Sequence, residues 1–502
     1  MLHGSLFSLK IIECISTIFY FSNLPPPASF FIRSIFLCFF FYIQRTGTYK
    51  LAQASGVTRG TKIILHLKDD CKEFSDKTTV KDILTTHSNF VNFKIRLNGE
   101  QINTVEAIWT KSKNEVSEEE HEAFYKFIAN AHDKPRARLH FQTDTPLNIS
   151  SIFYVPQEHT EKYGIGKMEP GVSLYCRKVL IQPNMKKLLP EYLRFIKGVI
   201  DCEGIPLNLS REHLQDSSLI ARISAVVSRR ILKFLADEAK RDPAEYDNFF
   251  SEFGQFLKEG VVSESNDREM IAKLLRMETS QLEAGKTTSF DDYISRMKED
   301  QKEIYYIVTQ KRDLAIGSPY MEHFKKKNIE VLFLYHAIDD WVINSLQNYK
   351  GKDFKAIESA DIDKDETELS EEERAEQKVF NEWIRDILFE KVSSVKDTNR
   401  LTDTPAVIID HESLSFRRMM MQVDPKRMPK LPKQQLEINA KHPIMAQLRT
   451  VRHSNPELAT QIVEQVYDNA LFAAGLITEV RPMLDRVNSI IERTLEFEAK
   501  KQ

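Results

Sequence analysis

A multidomain chain of mixed α/β and α+β architecture is predicted from three observations. The 502 residues exceed the ~250–300 at which one hydrophobic core stops growing, so about three domains of ~150 residues are expected. Short runs of alternating apolar and polar residues, the period of strands, are interleaved with stretches of helical spacing. Residues beyond about 440 carry helical spacing alone. Apolar residues make up 42% and charged residues 28%, with mean hydropathy −0.38. That is the composition of a globular chain with real cores, not of a collagenous, mucin-like or polytopic membrane protein.

In chain order, residues 1–44 stand apart, with nine of the 31 phenylalanines. Their apolar runs, 11–21 broken by Glu13 and 30–43 broken by Arg33, are shorter than the ~18–20 residues that span a bilayer. Residues 1–45 are therefore read as a leader, a spurious start or, less in keeping with the short runs, an anchor, and a membrane is not an expected partner. Residues 62–67 read as a strand, and TVKDILTTHSNF as a helix. Asn98-Gly99 supplies the positive φ that a tight hairpin needs between two short strands. ARLHFQTD, SIFYVP and VSLYCRKVLIQ continue as strands of a mixed sheet. From Leu219 to Leu235 the apolar positions keep helical spacing, and helices are expected as far as about Leu282. EIYYIV, SPYMEHFKKK and IEVLFLY form a small βαβ module, with Ser318 as N-cap and Pro319 at the first helical position. Residues 351–378 are acidic and read as a flexible connector that runs into a helix. VSSVKDTNRLTDTPAVIID suggests strands. Leu484, Val487, Ile491 and Leu495 form a stripe on the last helix, suited to core packing or to pairing with a second copy.

The chemistry excluded is as informative. Lys and Arg number 70 against 73 Asp and Glu, so no global basic field favours nucleic acid, which is not an expected partner. The five cysteines include no C-x-x-C pair, and no H-E-x-x-H occurs. Neither a disulfide framework nor a metal site is expected, and a reducing compartment follows. Asp361, Asp363, Asp365 and Glu372 mimic a calcium loop, but Glu366 stands where the turn requires Gly. YGIGKM fails as a phosphate loop, with Glu161 and Met168 at its defining positions. The segment that stands out is GIPLNLSREHLQ, residues 204–215. A Pro-containing loop there feeds a helix capped by Asn208 or Ser210, and Arg211 and Gln215 share one helical face. The two could reach toward one anion, though on these residues alone an ordinary capped helix with a solvated Arg is the simpler reading.

That segment resembles the catalytic loop of the heat-shock protein 90 chaperone family. The resemblance extends through TVKDILTTHSNF, AIWTKSKNEVSEEEHEAFYKF, PLNISSIFYVP and LRFIKGVIDCEGIPLNLSRE, and on through TSFDDYISRMKEDQKEIYYIV, SPYMEHFKKKNIEVLFL and LEINAKHPIMAQL. It covers about residues 46–502. No long charged linker precedes the middle part and the tail reads EFEAKKQ, so the chain looks most like the mitochondrial paralogue. The resemblance implies a matrix location, with the cytoplasm as the alternative. It also implies residues 46–78 as the end of an N-terminal ATP-binding domain and 79–350 as a middle domain. The middle domain divides into a large part (79–215), a helical connector (216–285) and a small βαβ part (286–350). The acidic connector (351–378) and a C-terminal dimerisation domain (379–502) follow.

In that family the loop Arg, here Arg211, reaches the γ-phosphate of ATP. Gln215 matches a helper polar residue, and Asn208 the residue that holds the loop in its active position. Thr61 matches a Thr near the adenine amino group. Trp109 matches an exposed, client-contacting Trp, and Phe416, Met419, Met420 and Met421 match an amphipathic client-contacting helix, where flexible thioethers suit varied apolar partners. The resemblance thus implies an ATP-dependent, homodimeric chaperone for unfolded or near-native clients, with ATP and Mg as cofactors. Most of the family's nucleotide-binding domain has no counterpart before residue 46, and Gly is scarce, 16 of 502. The chain as written is therefore expected to dimerise and bind clients without binding ATP by itself; the alternative is a noncatalytic dimerising regulator. Gly204, where the family tends to carry Asp, is expected to loosen the loop.

Overall fold

The computed structural model describes residues 8–16, 36–43, 49–53, 61–67, 69–204, 217–360, 370–411, 417, 431–477 and 480–499, apart from positions 92, 104, 146, 147, 165 and 265. The first four strands, described as backbone, are β1 (Ser8–Ser16), β2 (Phe36–Ile43), β3 (Tyr49–Gln53) and β4 (Thr61–His66). They form one antiparallel sheet of order β3-β2-β1-β4. The Phe-rich segment thus contributes two strands to this sheet, β1 beside β4 and β2 beside β1, in keeping with the strand preference of aromatic and β-branched residues.

Helix α1 (Lys77–Ser88) is capped by Asp76, whose carboxylate accepts from the Thr78 and Thr79 N–H groups. Strands β5 (Arg96–Leu97) and β6 (Glu100–Gln101) make the expected hairpin, with φ of 50° at Asn98 and 93° at Gly99. After α2 (Glu118–Ala129), started by a Ser117/Glu120 capping box, come β7 (Ala137–Thr143), β8 (Ile149–Val155), β9 (Gly171–Cys176), β10 (Val179–Gln182) and β11 (Lys197–Cys202). Their sheet has order β10-β9-β11-β8-β7 and is mixed, with only β9 and β11 parallel. Both its faces are covered. Ile149, Phe153, Val155, Val172, Leu174 and Ile200 enter one core, and Ile152, Tyr154, Tyr175 and Val199 enter the other. The period-2 alternation of strands thus sorts neighbours to opposite layers.

One layer is made by α3 (Ser217–Arg241) and α4 (Pro243–Ser263), whose buried stripes include Ile223, Val227, Ile231, Phe253 and Phe256. Gly260 lies so close to the Tyr192 ring that a Cβ there would fall 2.7 Å from it. Helices end with α5 (Arg268–Ala272), short of Leu282, because Met277 pairs with Thr288 in a sheet instead.

The smaller module contains β12 (Met277–Thr279), β13 (Thr287–Thr288), α6 (Phe290–Arg296), β14 (Glu303–Val308), α7 (Arg312–Ile316), α8 (Met321–Lys326), β15 (Leu332–Leu334), α9 (Ala337–Leu346), β16 (Asn348–Tyr349) and β17 (Lys352–Ala356). Its sheet runs β13-β12-β15-β14-β17-β16, with β15 and β17 both parallel to β14. The βαβ unit is as expected, but Ser318 does not cap α8. Tyr320 holds the N-cap position without a side-chain bond, and the Ser318 and Pro319 carbonyls accept from Met321 and Glu322. The boundary expected at 350 also moves: β17 belongs to this sheet, and Ile357 and Ala360 are buried beyond it.

The last part holds α10 (Glu371–Ile387), β18 (Val392–Asp397), β19 (Ala406–Ile409), β20 (Gln434–Ile438), α11 (Pro443–Ser454), α12 (Pro456–Ala473) and α13 (Arg481–Ala499). Pro443 and Pro456 occupy first-turn positions, where the missing N–H costs nothing. The core of this part joins Phe380, Ile408, Leu436, Leu448 and Val466. The stripe on α13 is not core: Leu484, Ile491 and Leu495 are 54%, 50% and 66% exposed, because no described element packs over them. No described helix is long and apolar enough to cross a membrane.

Candidate functional site

The segment that stands out in the sequence is held at both ends by the middle sheet and its helical layer. Its entry is β11, where Asp201 and Cys202 are buried. Asp201 Oδ2 accepts from Trp109 Nε1–H at 3.0 Å and from the Lys178 backbone N–H at 2.9 Å. Burial pushes the Cys202 thiol upward, which keeps it protonated and inert. The exit is α3, anchored through Leu219, Ile220 and Ile223 in the large core. Asn208, Arg211 and Gln215 lie between these anchors, outside the described residues. At the entry, Gly204 has an ordinary φ and open space where a Cβ would stand. Its backbone therefore places no special demand for glycine.

Trp109 does not match the expected exposed contact. It is fully buried, with Phe90, Tyr175 and Phe124 ring centroids at 4.8, 5.2 and 5.7 Å. Its indole N–H must then find a partner, and Asp201 is that partner. Beside it, His121 Nδ1 lies 2.9 Å from Tyr154 Oη. Burial, with Arg138 and His140 nearby, pushes His121 down to about 4, so the ring is neutral near pH 7.

An exposed tryptophan does occur, at Trp341 on α9, 46% exposed. Its helix buries Val342, Ile343 and Leu346. Trp341 falls off that stripe, and the mismatch between a large aromatic and the polar face is a signal the sequence carries. Other apolar rings at the surface include Phe93, Phe127, Phe389 and Phe472. Phe416, Met419, Met420 and Met421 lie outside the described residues, as does most of the supposed calcium loop.

Thr61 begins β4. Two of the described grooves are lined by β7 with α3, and by α10 with β18, and neither contains a Gly-rich turn. The described residues include no cluster of His, Cys, Asp or Glu able to hold a metal ion.

Comparison with known proteins supplies the frame for this geometry. A family model described as Hsp90 protein matches residues 98–502. The mitochondrial TNF receptor-associated protein 1 homolog of Dictyostelium discoideum is 46% identical over 461 residues, 90% of this chain and 64% of that protein. Chaperone protein HtpG of Desulfitobacterium hafniense is 43% identical over 89% of this chain and 74% of its own length. The mitochondrial heat shock protein 75 kDa of Rattus norvegicus is 42% identical over 90% of this chain and 66% of its own. The chain thus spans roughly two thirds of the length of the mitochondrial relatives it matches.

Proposed function

The chain belongs to the Hsp90 protein family, and on that premise we propose that it acts as a molecular chaperone. Its clients are unfolded or near-native proteins that present apolar surface. The match over residues 98–502, which takes in both the anchored loop and α9, carries this reading. Trp341 supplies a wide, amphipathic contact of the kind that dominates interfaces. Phe416, Met419, Met420 and Met421 keep the client-contacting role that resemblance gives them. The exposed stripe on α13 supports homodimerisation through the C-terminal helices, since three large apolar side chains on one face favour burial against a copy. ATP binding and hydrolysis, with Mg, are proposed as the family activity, in which Arg211 stabilises charge on the γ-phosphate while Asn208 and Gln215 hold the loop. Thr61 is proposed at the adenine. The names of the mitochondrial relatives support a mitochondrial location.

The test is suppression of aggregation. The purified chain, mixed at a stoichiometric ratio with a heat-unfolded client enzyme, is expected to lower light scattering, and Trp341→Ala to lower that protection by about half while changing stability by less than ~1 kcal/mol. Scattering unchanged by the chain would remove the chaperone reading. In the same preparation, any ATP hydrolysis is expected to vanish in Arg211→Ala.

A further inference from the structure

We propose that the groove between β7 and the second half of α3 is a docking site for an acidic, extended segment of a partner protein. The groove encloses about 730 Å³. Arg229, Arg230, Lys233, Lys240 and Lys273 line it, against one carboxylate, Asp237. Five cations in one concavity contrast with a chain whose charges nearly balance, −3 overall.

These cations are also poorly neutralised. Arg229 pairs with Asp267 at 2.9 Å, whereas Arg230, Lys233, Lys240 and Lys273 have no ion-pair partner among the described residues. Arg230 lies instead over the Phe141 ring, 5.7 Å from its centroid. By contrast, Arg136 and Arg194 of the same module are paired, with Glu245 and with Glu161 and Glu259 respectively. A concave wall with low-dielectric sides concentrates such a field and attracts counter-charge.

The shape selects a polypeptide over a compact anion. Positions 229, 233, 236, 237 and 240 recur at helical spacing on one face of α3. Eleven residues of helix separate Arg229 from Lys240, a span of about 16 Å at ~1.5 Å per residue. A single phosphate or carboxylate cannot bridge that distance, while about five residues of extended chain at ~3.3 Å each cover it. The opposite wall is β7, the edge strand of its sheet, contributing Phe141 to Thr143. Edge strands accept extended chains alongside them. Between the walls, Phe141, Val226, Ala236 and Met270 make an apolar floor. A ligand that alternates carboxylates with apolar side chains satisfies both surfaces, whereas a nucleic acid would leave that floor unmatched.

The measurement is fluorescence anisotropy with the full chain and a labelled peptide of about ten residues alternating Glu with Leu and Thr. Binding is expected to weaken as salt rises and to weaken about ten-fold or more in Lys233→Glu/Lys240→Glu. Both positions are exposed, and circular dichroism checks that the fold is kept; Lys233→Ala/Lys240→Ala, expected to lose less, serves as the milder variant. A control peptide with Lys in place of Glu is expected not to bind. Equal affinity in the parent and both variants would overturn the proposal. So would tighter binding of single-stranded oligonucleotide that displaces the peptide, because the groove would then serve phosphate chains. Peptide binding without aggregation suppression separates this site from the chaperone reading.

Discussion

Trp109 and Asp201, 92 residues apart, meet through an indole N–H···carboxylate hydrogen bond of 3.0 Å inside the middle module. The same carboxylate oxygen receives the Lys178 N–H. One buried acid thereby ties the segment before α2, the β9–β10 turn and the last strand before the 204–215 loop. Trp109→Phe keeps an aromatic ring near Phe90 and Tyr175 but removes part of the buried ring volume and one donor to buried Asp201. A loss of about 2–3 kcal/mol in urea unfolding is expected. An unchanged unfolding midpoint would show that water replaces the indole.

The buried His121 makes stability depend on pH in a defined direction. Its folded value of about 4 lies below the ordinary 6.5 because burial, then Arg138 and His140, disfavour the cation. Below pH 6.5 the unfolded chain takes a proton that the folded site refuses until about pH 4. The contribution is therefore complete above pH 6.5 and declines as pH falls toward 4. Between pH 7 and pH 5 the parent is expected to lose about 2 kcal/mol more than His121→Gln, read from denaturant titrations at both pH values.

The stripe on α13 bears on association. Leu484 and Ile491 are exposed in the single chain, so Leu484→Glu/Ile491→Glu is expected to leave the fold intact. If the stripe pairs with a second copy, the dimer is expected to weaken about ten-fold or more. Sedimentation velocity across a dilution series reads this directly, and an unshifted distribution would place the dimer contact elsewhere.

A fourth expectation concerns the joint between the small module and the last part. Tyr320 Oη–H donates to the Ile408 carbonyl at 2.5 Å. Glu322 accepts from the Thr402 and Asp403 N–H groups and from the Thr404 hydroxyl. Arg400 returns the contact by donating to the Ala360 carbonyl at 2.8 Å. Tyr320→Phe removes the donor to the buried Ile408 carbonyl, and a loss of about 1–3 kcal/mol is expected. Calorimetry is expected to show the two parts beginning to unfold separately in Tyr320→Phe/Glu322→Gln, and one unsplit transition would argue against the joint.

Much of this architecture is legible in the residues because local physics and tertiary packing agree. Asn98-Gly99 forms its hairpin since both residues reach positive φ at little cost, and α3 buries the stripe its spacing announces. Where the reading departs, the deciding contact is distant. Trp109 lies in an irregular stretch without periodicity, so nothing local reveals that Asp201 awaits it. Strands of two or three residues such as β12 and β13 are too short to show alternation. β17 was hidden by the charge of its neighbours, although its pairing with β14 places it in the sheet. The candidate loop was legible as a motif, while the basic groove was not, because β7 and α3 are brought together only by folding.

The placement of β17 has a practical corollary for anyone dividing the chain. A fragment ended at residue 350 would strip β14 of one parallel neighbour and leave a raw hydrogen-bonding edge, a template for aggregation. Ending it at 360 restores that strand but still removes Leu401 and Val407 from the cluster that includes Phe324 and Phe333. The small module is thus a poor candidate for expression alone, and a cut that respects its packing must carry the strands beyond residue 390 with it.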